Sequence, residues 1–175
     1  VILTRGLSAL GIAALCVAAG LMGAPAAAGE PTETAQIVLP SSLPIARDGW
    51  VTDAAALFTP DQRHQIERRL VALQAATGRE AIVVTVPSLD GQDIARYASE
   101  VGDRWAVGAP GAEGIVILLA PREQLVRIAV GQGLAAAIPD DDCQAIIDTL
   151  MLPQFRNGLF EAGLVAGIAE LEGRL

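Results

Sequence analysis

Two continuous apolar runs constrain this chain more than any other feature. "EAIVVTV" at 80–86 and "GIVILLA" at 114–120 are rich in β-branched residues, are short for helices, and lack the polar alternation of a strand with one wet face. Each reads as a strand buried on both sides. Between them, beyond Pro87 and a turn at Asp90-Gly91, Ile94, Tyr97, Ala98, Val101 and Trp105 step by three and four, which predicts a helix. Strand, helix, strand is a βαβ unit and calls for a parallel pair.

The flanking segments complete the frame. Thr59-Pro60-Asp61 offers a side-chain cap, a proline at the first helical position and an acid in the first turn; Ile66, Leu70 and Leu73 then share a face and Gly78 ends the helix. After the second apolar run, Pro121 to Gln124 form a polar turn and "LVRIAVG" returns as the second arm of a hairpin, so the sheet is mixed. Cys143, Ile146, Ile147, Leu150 and Met151 form one helical stripe, which puts Asp140-Asp141-Asp142 at the start of a third helix. A last helix carries Phe160, Gly163, Leu164, Gly167, Ile168 and Leu171 on one face, and its Gly163-x-x-x-Gly167 spacing permits close packing. The predicted fold is a three-layer α/β/α sandwich with a mixed central sheet and helices on both faces.

The beginning of the chain reads differently. Residues 1–28 hold one charge, Arg5, then an apolar stretch broken by Gly11, Gly20 and Gly23, and end in Ala26-Ala27-Ala28, the pattern of a cleaved signal peptide. Leu15 before Cys16 argues against a lipoprotein. Residues 29–47, rich in Pro, Thr, Ser and Glu, read as a flexible tether, and 48–175 as the domain. The expected location is therefore periplasmic or otherwise extracytoplasmic. Cleavage after Ala28 would move the net charge from −8 to −9, because Arg5 is the only charged residue removed. Such acidity disfavours nucleic acid as a partner and attracts cations.

Composition also limits the chemistry. Every basic residue except His64 is arginine, which excludes lysine mechanisms, and His64 falls off the apolar stripe of its helix. Cys143 sits in a core stripe, where a cysteine usually acts as a small hydrophobe. "GQGLAAA" at 131–137 lacks the lysine of a phosphate-binding loop and reads as a tight turn. For Asp140, Asp141 and Asp142 two accounts stay open: helix capping, with Asp141 as the cap and Gln144 completing a capping box, or metal ligation. Under the second, the hairpin returns Gly131 to the edge where Glu113 begins and Asp103 ends the second helix, so carboxylates of Asp103, Glu113, Asp140, Asp141 and Asp142, with Asp53 if its loop returns, converge on Ca²⁺ or Mg²⁺. Arg104 and Arg127 are the candidate phosphate clamp beside such a metal.

The chain also resembles a known family. Val51-Thr52-Asp53, the Arg104-Trp105…Gly108 group, Val130 to Leu134 and Pro153 to Gly158 occur in the order and spacing of a TPM domain, over about residues 48 to 170. The resemblance implies an extracytoplasmic α/β domain. It also implies one of two roles: a divalent-cation-binding phosphatase acting on a phosphorylated substrate, or a non-enzymatic module that maintains or modulates a membrane protein complex. Where members of the family usually carry D-N-G before the second buried strand, this chain has Ala112-Glu113-Gly114.

Overall fold

The structure is a computed structural model and describes residues 45–175. The expected signal peptide and all but the end of the expected tether lie outside the described residues. Strands β1 (Val51–Asp53), β2 (Glu80–Thr85), β3 (Gly114–Ala120) and β4 (Leu125–Val130) form one sheet in that order. β1, β2 and β3 run parallel and β4 returns antiparallel to β3, so the sheet is mixed as expected. β3 is buried along its whole length, which is why its sequence shows no alternation.

Helix α1 (Pro60–Thr77) begins with a full capping box between Thr59 and Gln62 and ends at Gly78 in the left-handed conformation. Its buried stripe of Ile66, Leu70 and Leu73 joins α3 (Asp140–Ile146), a following π-helical turn (Ile147–Met151) and α5 (Phe160–Arg174) in one core against Val83, Ile115, Ile117 and Ile128. Helix α2 (Ile94–Arg104), capped by Asp93, buries Tyr97, Ala98 and Val101 on the opposite face against Ile82, Val84, Val116 and Leu118. The architecture is therefore the three-layer sandwich. Because β1, β2 and β3 lie side by side and parallel while α1 and α2 cover opposite faces, the two crossovers have opposite hands, and one departs from the usual right-handed rule.

Three expectations need correction. The strand β1 was not anticipated, since three residues carry no readable period. The third helix does run through Met151 but is not α-helical throughout: at Ile147–Met151 it is π-helical, the Leu152 N–H reaching back to the Ile147 carbonyl, one residue farther than an α-helix allows, and a short helix α4 (Leu152–Arg156) follows with Pro153 in its first turn. Asp141 is not a cap. Helix α3 starts two residues earlier than that cap implies, behind Pro139, which offers no side-chain cap, so the three aspartates form its first turn, where they favour the helix dipole.

Candidate functional site

Four of the six carboxylates singled out in the sequence are held by separate partners. Asp53 ends β1, and its Oδ1 accepts the Leu57 N–H at 2.9 Å and the Thr85 hydroxyl, while Oδ2 accepts the Phe58 N–H at 2.9 Å. That aspartate therefore shapes the loop from β1 into α1. Glu113 pairs with Arg79, Asp140 with Arg127, and Asp142 with Arg174 at 2.6 Å. Asp103 and Asp141 are exposed. Among the described residues no three of His, Cys, Asp or Glu gather into a group able to hold a metal ion.

A calcium site needs six to eight oxygens around one point, and four of the six expected donors are instead neutralised by arginine or used by backbone amides. The residues present do not fit a bound Ca²⁺ or Mg²⁺. Of the two arginines expected to clamp phosphate, Arg127 of β4 is engaged by Asp140, and Arg104 is exposed at the end of α2.

Other chemistry-bearing groups are also in structural use. His64 is exposed, and its Nδ1 donates to the Pro60 carbonyl at 2.8 Å. Cys143 is buried, and desolvation pushes its thiol up to about 11, far from a reactive thiolate at neutral pH. "GQG" is a close-packed turn: a Cβ on Gly131 would lie 2.0 Å from the Ala112 carbonyl oxygen, and one on Gly133 would lie 2.4 Å from that of Gly111. Only glycine fits there, for packing rather than phosphate.

Sequence reasoning missed an apolar groove that a ligand could enter. A groove of about 540 Å³ lies at the carboxyl edge of the parallel strands, bounded by Leu57 before α1, Leu125 and Val126 at the start of β4, and Leu152, Phe155 and Phe160 of α4 and α5. Open α/β sheets tend to bind ligands at that edge. Leu125 is 45% exposed, and Arg156 stands on the rim. The signal was present in Pro153-x-Phe155-Arg156-x-Gly158, but periodicity does not reveal that a short helix after a π-turn turns its apolar face toward a hairpin. A second cavity, about 400 Å³, opens at the opposite edge beside Asp103, Gly131 and Gln132.

Comparison with known proteins decides the family. Residues 51–174 match the TPM domain. The chain belongs to the TPM domain family. The N-terminal domain of a P. gingivalis protein is 30% identical, with a TM-score of 0.67 over 73% of this chain and 82% of that one. The BA42 protein of the psychrophilic bacterium Bizionia argentinensis gives a TM-score of 0.60 at 21% identity, covering 67% of this chain and 81% of its own. The N-terminal domain of the cg2496 protein of Corynebacterium glutamicum gives 0.59 at 18% identity, covering 78% and 85%. At those two identities the likeness is one of fold alone. No curated protein matches this chain.

The four TPM sequence patterns have structural roles in this domain. Asp53 holds the β1–α1 loop, the Gly108 N–H donates to Glu80 Oε2 at 2.8 Å, Gly131 and Gly133 pack against the backbone before β3, and Phe155 stacks on Phe160 with ring centres 5.3 Å apart. Among the described residues no helix is long and apolar enough to cross a membrane.

Proposed function

We propose that this TPM domain is a non-enzymatic, extracytoplasmic binding module that docks on a membrane protein complex. One observation carries the reading: Glu113, Asp140 and Asp142, which a metal-assisted phosphatase would need as ligands, are engaged by Arg79, Arg127 and Arg174. Each pair also withdraws an arginine from any phosphate. What remains presented to a partner is the apolar groove at the carboxyl edge, with Leu125 exposed along it.

The test has two arms on the intact protein. A photo-crosslinker at Leu125, introduced in cells, is expected to capture a membrane protein, whereas one at Val71, an exposed apolar position on α1, is not. Hydrolysis of a general phosphomonoester with Ca²⁺, Mg²⁺ or Mn²⁺ is expected to stay at background. Cation-dependent turnover that disappears on changing Asp140, Asp141 and Asp142 to Asn would overturn the proposal and restore the phosphatase.

A further inference from the structure

The groove at the carboxyl edge carries a charge that its surroundings do not explain. Arg47, Arg63, Arg69, Arg79, Arg96, Arg127 and Arg174 all pair with carboxylates. Arg156 lines the groove and makes no ion pair among the described residues, although the chain carries a net charge of −8 and has acids to spare. An arginine on the rim of an otherwise acidic protein, beside Leu57, Leu125, Leu152, Phe155 and Phe160, is complementary to an apolar group that bears a carboxylate close by.

Resting on the binding-module reading above, we infer that the partner presents a peptide segment in which a large apolar side chain enters this groove and an adjacent Asp, Glu or C-terminal carboxylate pairs with Arg156. The volume suits a few side chains, and the groove is an open cleft, which an extended segment can enter from the side. The apolar insertion supplies most of the affinity; the guanidinium sets which segment is accepted, since an exposed charge pair contributes modestly but orients its partner.

The experiment is selection of a random twelve-residue peptide library on the immobilised full-length protein, followed by binding of the selected peptides in solution. The expected consensus places an acid next to Leu, Phe or Trp. Affinity should fall about fivefold in Arg156→Gln, the scale of one exposed ion pair, and be lost in Leu125→Asp, whose fold is checked by its melting curve. Three results would overturn the inference: no selectable peptide, a consensus without an acid, or binding indifferent to Arg156→Gln. Retention of the protein on anionic lipid vesicles through Arg156, with no peptide selected, would also overturn it by assigning the groove to a lipid surface. Capture of a membrane protein at Leu125 together with charge-indifferent peptides would leave the binding-module reading standing and remove only this refinement.

Discussion

Arg127, in the edge strand β4, pairs with Asp140, the first residue of α3. Arg127 is in register with Leu118, whose side chain belongs to the α2-side core, whereas Cys143 of α3 belongs to the core on the other face. The guanidinium therefore reaches round the open side of the sheet. In doing so it fastens the start of α3 and places charge on an edge that would otherwise invite another strand.

That relationship predicts a measurable coupling. A double-mutant cycle on Arg127→Gln and Asp140→Asn, read by urea denaturation, should give about 0.2–1 kcal/mol, as expected for a partly exposed pair. Raising the salt should shrink it. Additive effects at low salt would mean that the pair does not form in solution.

The same pairing predicts indifference to cations. The melting temperature of the protein should stay constant as Ca²⁺ or Mg²⁺ is raised to about 10 mM, beyond the weakest range of extracellular calcium sites. A rise in the wild type that is abolished by changing all three of Asp140, Asp141 and Asp142 to Asn would return these residues to the role of ligands.

Asp53 is expected to matter for stability. Asp53→Ala leaves the Leu57 and Phe58 amides and the Thr85 hydroxyl without their acceptor at a partly buried site, which should cost about 1–3 kcal/mol. Asp53→Asn keeps one acceptor oxygen and should fall between the two. Equal stability of wild type and Asp53→Ala in urea would show that water replaces the carboxylate.

Legibility in the sequence followed the length of each physical signal. The runs at 80–86 and 114–120, the capping box at Thr59 and the stripe of α2 were readable because each spans several residues with one period. β1 was not, because its three residues are a strand only through pairing with Val83 to Thr85. The pairing of the carboxylates was not readable for a related reason. Sheet topology does bring acids to neighbouring edges, but spacing cannot say which arginine reaches each one first, and Arg79, Arg127 and Arg174 come from three different elements. The groove was hidden because it depends on a π-helical turn that re-aims Leu152 and Phe155.

The last prediction concerns acid. Glu123, in the β3–β4 turn, accepts the Ser88 hydroxyl at 2.7 Å and the Leu89 N–H at 3.0 Å, tying that turn to the loop after β2. The Ser88 bond is the chief reason that its carboxyl is held below the ordinary value of 4.5, with the Leu89 amide and the charge of Arg122 acting in the same direction. A carboxyl lowered in the folded state stabilises it fully above the unfolded value, and that stabilisation is lost as the pH falls through the folded one. Wild type should therefore exceed Glu123→Gln in stability near neutral pH, and the gap should narrow as the pH falls past the unfolded glutamate's value and close below the folded one. Ser88→Ala removes the largest cause, so its pH-dependent loss of stability should be smaller than in the wild type and complete at higher pH. A gap between wild type and Glu123→Gln that persists unchanged into acid would mean that Glu123 acts through shape and neutral hydrogen bonding, not through its charge.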